Sequence, residues 1–412
     1  MLSVLRVSLS LTVGAVLNAS VSGPTVVVWS ALDTYAQCCH GAPFHSCPLA
    51  TTPDIPARAW SDSSTTPPTT RMIVGSTKYC HMSGPSLLNL TRECGIAYNK
   101  TADGDPSHYA ADEYLDSPVA FDNGTVVALV HTEFPGNRYN ESGGPGAPYC
   151  TGAAGAKGYP ECWTVSVGLV VSHDWGKTFA HAAPPPRHLV AAVPYGYNQS
   201  QLAYGWGDPS NILKSPVDGF YYAALWNRHQ VGLQKPGLCF MRSNDLMDPR
   251  SWRGYDGKGG YTVPFADAYT LAPGTEAQHV CAVSETLPAG SVFDGCAAHG
   301  LTYSRQLRKF VVTLGCNQAT DANFKVAVSD DMITWSEPAP LDPTVGLDPA
   351  IAKYVVGRNY PTFMDPTAPA AFGDRNFGTI GDAPYLLWVS MGHSPTLDGR
   401  HLLATPFALT LE

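Results

Sequence analysis

Ser172-His-Asp-Trp-Gly-Lys-Thr-Phe179 follows directly on the β-rich run Trp163 to Val171 and fits the Asp-box pattern Ser-x-Asp-x-Gly-x-Thr-Phe/Trp. The chemistry is that of a hairpin turn. Asp and Ser side chains accept hydrogen bonds from turn amides, and Gly supplies a positive φ at little cost. The terminal aromatic then packs on a sheet. Ser329-Asp-Asp-Met-Ile-Thr-Trp335 is a variant without the Gly, and Ser243-Asn-Asp-Leu-Met-Asp-Pro-Arg-Ser-Trp252 is an expanded one. These boxes are structural rather than catalytic, and they mark the outer hairpins of propeller blades.

Around them, helical periodicity is almost absent. Short β-rich runs dominate, at residues 71–74, 126–130, 163–171, 220–226, 309–314, 325–328 and 385–389, punctuated by Gly, Pro, Asn and Asp. That is an all-β signature. Five segments share a plan in which a Pro- or Gly-bearing lead-in precedes a turn and an aromatic or aliphatic strand. The lead-ins are Asp54-Ile-Pro-Ala-Arg58, Asp116-Ser-Pro-Val-Ala120, Gly207-Asp-Pro-Ser-Asn-Ile212, His299-Gly-Leu-Thr-Tyr303 and Tyr360-Pro-Thr-Phe-Met-Asp365. Their spacing of roughly 60–90 residues exceeds that of compact propeller repeats, so long loops separate the strands. The plan predicts a five-bladed β-propeller formed by residues 24–412 as one domain. A six-bladed ring follows only if Val26-Val-Val-Trp29 starts a blade of its own; the preferred reading has that strand complete the last blade beside Leu402 to Leu411.

Composition agrees. The 412 residues carry 25 Lys+Arg and 34 Asp+Glu, a net charge of −9, with 39 Gly and 35 Pro. At 14% charged and 44% hydrophobic, the chain is neither a basic nucleic-acid binder nor a disordered or coiled-coil protein. Residues 1–23 read as a secretory signal: Arg6 is the only charge, an apolar run extends from Val7 to Leu17, and small residues follow. No later stretch approaches ~20 apolar residues, so no membrane span is expected after signal removal. Sequons at Asn89, Asn99, Asn123, Asn140 and Asn198 fit a secreted, extracellular glycoprotein. The 11 cysteines lack zinc-site CxxC spacing and read as disulfides, with Cys150–Cys162 and Cys80–Cys94 closing their own loops. The odd count leaves one thiol free or one intermolecular bond.

The lead-in Asp54-Ile-Pro-Ala-Arg58 resembles that of secreted glycoside-hydrolase-type propellers, the clan of arabinanases, β-xylosidases and fructosidases. So do Ser-x-Asp-x-x-x-Trp-x-x-Pro-x-x-Leu at residues 329–341 and Tyr360-Pro-Thr-Phe-Met-Asp-Pro…Asn376-Phe…Pro384-Tyr-Leu-Leu. The run from Asp54 to Leu411 also resembles a group of secreted proteins sharing Leu129-Val-His-Thr-Glu133, the Gly207 lead-in and Cys239-Phe-Met-Arg-Ser243. The resemblance implies a central funnel with an Asp on the first blade, a second Asp that tunes proton affinity, and a Glu as general acid. Glycoside hydrolysis needs such a pair, ~5–5.5 Å apart for retention or ~6.5–9.5 Å for inversion. Asp54 stands where the first Asp is expected; Asp116 and Asp208 compete for the tuning role. No Glu begins the third or fourth inner strand, a departure from the clan. Glu133 is the candidate acid, because it lies two residues from His131 on one strand face, where the two can share a proton.

Arg58, Asn211 and Arg242 are candidate donors to sugar hydroxyls or a carboxylate. The inner-strand register adds His279, Tyr303, Tyr360 and Asp365. Trp206 and Trp226 are sugar-platform candidates, with core packing the stronger reading. No sequence fingerprint calls for a metal, nucleotide or flavin cofactor; a calcium ion in the tunnel would leave no mark on the sequence. The expected function is glycoside hydrolysis of an oligo- or polysaccharide by a monomer. The alternatives are a sialidase, which needs three arginines clamping a carboxylate, and a lectin-like propeller with no acid pair.

Overall fold

The computed structural model describes residues 16–30, 53–75, 82–93, 96–99, 101–136, 162–283, 293, 295–317, 322–352, 355–391 and 400–412. The first described elements are β1 (Leu17–Val21) and β2 (Val26–Trp29). Blade 1 follows as β3 (Pro53–Asp62), β4 (Thr69–Gly75), β5 (Met82–Ser86) and β6 (Asn89–Arg92), a meander in that order. Blade 2 contains β7 (Asp112–Ala120), β8 (Val126–Pro135) and β9 (Trp163–Ser172), with β10 (Ala180–His181) and β11 (Leu189–Ala191) sharing its outer edge. A short β12 (Tyr204–Gly205) pairs with the start of β9 and leads to blade 3.

Blade 3 is β13 (Leu213–Lys214), β14 (Tyr221–Asn227), β15 (Gly237–Ser243), β16 (Arg253–Tyr255) and β17 (Tyr261–Pro264). Blade 4 is β18 (Cys296–Ser304), β19 (Lys309–Cys316), β20 (Asn323–Ser329) and β21 (Ala339–Leu341). Blade 5 is β22 (Gly357–Met364), β24 (Tyr385–Met391) and β25 (His401–Leu411), while β23 (Thr379–Ile380) crosses to pair with β18. The fifth sheet is completed from the other end of the chain, because both β1 and β2 pair with β25. Contacts of β3 with β7, β12 with β14, β14 with β18, β18 with β22 and β22 with β3 close the ring. The protein is a five-bladed β-propeller. Val26–Trp29 completes the last blade, and residues 17–21, the end of the signal-like stretch, occupy that blade too.

All three boxes sit in outer hairpins, between β9 and β10, β15 and β16, and β20 and β21. In the first, Gly176 N donates to Ser172 Oγ at 2.8 Å and Thr178 N to Asp174 Oδ1 at 2.9 Å. Gly176 has φ +79°, and a Cβ there would fall 2.5 Å from Trp60 of blade 1. In the variant without Gly, Met332 at φ +62° matches Trp175 at φ +65°, the following left-handed residue is absent, and Trp335 is the buried aromatic.

Strands such as β8 are buried along nearly their whole length, because each sheet is covered on both faces. Ile55, Trp60 and Ile73 of blade 1 pack on Leu115, Val126, Ala128, Val130 and Val170 of blade 2. Face-to-face sheets of this kind leave little room for charge, which accounts for the low charged fraction. Cys239–Cys281 ties β15 to the segment after β17, and Cys296–Cys316 joins directly paired residues of β18 and β19. Cys162 is also disulfide-bonded; Cys80, Cys94 and Cys150 lie outside the described residues. Among the described residues no helix is long and apolar enough to cross a membrane.

Candidate active site

Each lead-in lies on the innermost segment of a different blade, and at each the regular ladder breaks. Pairing jumps from Pro53 to Arg58 in β3, from Leu115 to Pro118 in β7, from Ala298 to Gly300 in β18 and from Asn359 to Thr362 in β22. In blade 3 the inner segment is only an isolated bridge at Gly207 before β13 begins. Proline supplies the cause at four of the five places. Pro56, Pro118, Pro209 and Pro361 have no amide to give a neighbouring strand, so the residues before them bulge and turn inward. Ser117, Asp208 and Tyr360 take positive φ of +47°, +46° and +61° there. Non-glycine residues held in that region cluster at functional sites.

The result is a central cavity of about 390 Å³, to which the lead-ins contribute Asp54, Asp116, Asp208, His299 and Tyr360, one per blade. Its wall continues with Tyr114, His131, Glu133, Trp163, Arg228, Asn359 and Arg400. Four carboxylates therefore face one space, and each has a different setting.

Asp116 accepts Arg58 Nε at 2.7 Å, with both side chains buried. Asp54 forms an ion pair with Arg400 and accepts the Tyr360 hydroxyl at 3.3 Å. Burial pushes its proton affinity up, opposed by Arg400, with the balance upward. Asp208 has Arg228 Nη2 3.6 Å from Oδ2. Its carboxyl is raised by burial and by the negative charges of Glu133, Asp116 and Asp54, against the attraction of His131. Glu133 Oε1 lies 3.2 Å from His131 Nε2, while Asp208 N donates to His131 Nδ1 at 2.9 Å. An Nδ1 that accepts an amide proton leaves the ring hydrogen on Nε2, directed at Glu133. Burial disfavours charge on that ring, but Glu133 and Asp208 outweigh it and raise its pKa. Gly207 leaves the room the ring needs, since a Cβ there would be 2.6 Å from His131 Cε1. One imidazole thus fixes two acids from neighbouring blades. His299 stays neutral, pushed down to about 3 by burial and by Arg58 and Arg228.

The remaining sequence-proposed residues lie elsewhere. Arg58 is 1% exposed and lies behind the cavity, where Nη1 donates to His299 O at 2.7 Å and Nη2 to Pro209 O at 3.0 Å. It braces blades 1 to 4 and is not among the residues that line the cavity. Asn211 also links blades, exchanging two hydrogen bonds with the Leu301 backbone. Arg242 stacks over Phe220 and Tyr261 near Asp218, within blade 3. His279 holds Pro264 O through Nδ1. Tyr303 packs on Phe310, and Asp365 caps the turn amides of Thr367 and Gly381. Trp206 is fully buried, and Trp226 lies beneath the Arg228 guanidinium.

Arg228, Arg400, His299, Tyr114, Asn359 and Trp163 were not singled out by sequence. Arg228 follows β14 directly, and Glu133 and Met391 occupy the equivalent ends of β8 and β24. The funnel-side ends of second strands were thus a readable signal. Among the described residues two arginines, Arg228 and Arg400, line the cavity, against the three of a sialidase clamp.

No protein-family model and no curated protein sequence matches the chain. Solved structures do. A thermostable family-43 glycoside hydrolase aligns over 88% of this chain and 96% of its own at TM-score 0.44 and 9% identity. An α-L-arabinanase of Cellvibrio cellulosa complexed with arabinohexaose aligns over 86% and 92% at 0.44 and 10%. A family 117 glycoside hydrolase of the marine bacterium Zobellia galactanivorans aligns over 96% and 90% at 0.47 and 9%. The likeness is one of fold.

Proposed function

We propose that this chain is a secreted glycoside hydrolase acting on an oligo- or polysaccharide, with Asp208 as proton donor and Asp54 as the carboxylate base or nucleophile. The observation that carries this is the electrostatic inequality of two acids facing one cavity. Asp54 sits against Arg400 and the Tyr360 hydroxyl, which favour its anion. Asp208, buried and with its arginine, Arg228, no nearer than 3.6 Å, sits among three other carboxylates, which favour its acid form. Burial raises both carboxyls, but of the two only Asp54 is hydrogen-bonded to an arginine, and this inequality supports dividing the base and acid roles between them. Asp208, on the third blade, supplies the acid in a chain where no Glu begins the third or fourth inner strand.

Asp116, ion-paired with Arg58, acts on Asp208 through its negative charge. Glu133, oriented by His131, raises the proton affinity of Asp208 in the same way. Tyr114, Trp163 and Tyr360 offer ring faces or edges to a sugar. The polar rim of Arg228, Asn359 and Arg400 offers donors to its hydroxyls.

The test is a panel of aryl glycosides with good and poor leaving groups. Asp54→Asn should lower turnover at least about 10³-fold on all of them, within the range of acid–base catalysis. Asp208→Asn should lose as much on poor leaving groups but retain most activity on good ones, which depart without a proton. If Glu133→Gln shows that leaving-group pattern and Asp208→Asn does not, Glu133 is the donor. Sugar binding by the wild type with no turnover on any substrate would favour the lectin reading and defeat the hydrolase one.

A further inference from the structure

Away from the cavity, Glu113, His181 and His188 converge on blade 2. A carboxylate oxygen of the first and one ring nitrogen of each histidine all lie within 4.8 Å of one another. Glu113 comes from the start of β7, on the face that also carries Leu115. His181 ends β10, and His188 ends the excursion that separates β10 from β11. His181 Nε2 is 2.6 Å from Glu113 Oε1, and Tyr98 Oη lies 2.8 Å from Glu113 Oε2 and 2.9 Å from His181 Nε2.

The His188 ring lies over Gly168, where a Cβ would come within 2.6 Å of its Cδ2. Its Nε2 is 3.1 Å from Tyr109 O, so Nε2 carries the hydrogen and donates to that carbonyl. Nδ1 is then left with a lone pair. That atom is fully buried, and no hydrogen-bond donor reaches it. An unsatisfied buried acceptor costs about 1–3 kcal/mol. The adjacent ring, His181, lies 4.4 Å away at a tilt of 33° and brings a second nitrogen to the same cluster.

We propose that Glu113, His181 and His188 bind a divalent transition-metal ion of the zinc type. Two imidazole nitrogens and a carboxylate are a zinc donor set. The Nε2–H bond to a backbone carbonyl is the outer-shell arrangement that orients a ligating histidine through its other nitrogen. Tyr98 is placed to fill or cover the fourth position. His181 is only partly buried and gives the ion its way in. The ion joins the outer edge of blade 2 to its innermost strand and to the connection from blade 1, where Thr101 also binds Glu113. It takes no part in sugar chemistry.

Full-length protein stripped with chelator and dialysed is titrated with Zn(II) and separately with Co(II), followed by metal analysis, visible absorption and thermal unfolding. The wild type should take up one equivalent, show the intense absorption of four-coordinate cobalt, and melt higher with metal. His181→Asn and His188→Asn should each bind at least about 100-fold more weakly, beyond the roughly 10–100-fold cost of disturbing an outer-shell partner. The exposed His173→Asn should bind as wild type does. If His188→Asn fails to fold, the partly buried His181→Asn variant decides alone. Absence of stoichiometric uptake by the wild type, or equal uptake by the His181 variant, overturns the proposal.

Discussion

Replacing Arg58 by Leu separates a brace from a ligand donor. The guanidinium is 1% exposed and makes three bridging contacts: Asp116 at 2.7 Å, His299 O at 2.7 Å and Pro209 O at 3.0 Å. Removing one partner of a buried ion pair typically costs 3–5 kcal/mol, because the other charge is stranded. The stranded carboxylate here is Asp116, 2% exposed, whose other donors are the Ser117 amide and hydroxyl. At about 2.1 cal/mol/K per residue, 412 residues give an unfolding entropy near 0.9 kcal/mol/K, so Tm should fall by about 3–6 °C.

The double variant Arg58→Leu/Asp116→Leu should recover more than half of that loss, since an apolar pair strands no charge. Denaturant midpoints at matched m-values measure both. A single-variant loss under about 1 kcal/mol, or a double variant no better than the single, refutes the brace and returns Arg58 to the ligand-binding candidates.

Asp208, raised by burial and like charge, should carry its proton below its folded pKa and lose it as pH rises through that value; kcat/KM on poor leaving groups should fall on this alkaline limb. The same raised carboxyl costs stability as pH climbs above the ordinary aspartate range, so Asp208→Asn should flatten both profiles, read by kinetics and by Tm against pH. Gly176→Ala places a Cβ at φ +79° and 2.5 Å from Trp60, and should destabilise by about 1–3 kcal/mol in urea unfolding. Opening Cys239–Cys281, which closes a 42-residue loop, should cost about 4 kcal/mol on the chain-entropy estimate, measured with the double Ser variant. Asn89, Asn99, Asn123 and Asn198 are all exposed, and enzymatic deglycosylation of secreted protein should release glycans from these sites, mapped by mass spectrometry.

The fold was legible because its signals are local. An Asp box needs only a few neighbouring residues to declare a hairpin, and the lead-in prolines announce the bulges that aim side chains at the axis. Asp54, Asp116, Asp208 and Tyr360, which line the cavity, are therefore legible in the sequence. Direction at longer range is not. Arg58 and Asp54 are four residues apart on one bulged strand, yet one is buried behind the cavity and the other faces it. No periodicity survives a bulge to tell them apart. Arg400 is assigned by its ion pair with Asp54 across 346 residues, a relation set by ring closure rather than by any repeat. His188 was invisible for a similar reason: its place depends on an excursion from an outer strand settling over Gly168.

Blade 5 is made from both ends of the chain, and that sets a timetable. During synthesis, β3 emerges with Asp54 well before Tyr360 and Arg400, which lie 306 and 346 residues further along the chain. A nascent chain with four blades presents an open arc, in which Asp54 has neither of these partners and β1 and β2 have no strand to join. Only when β25 leaves the ribosome can the arc become a ring, and the pocket gains its last wall in that same event. A chain cut before β22 therefore loses Asn359, Tyr360 and Arg400 from the pocket wall together with the blade.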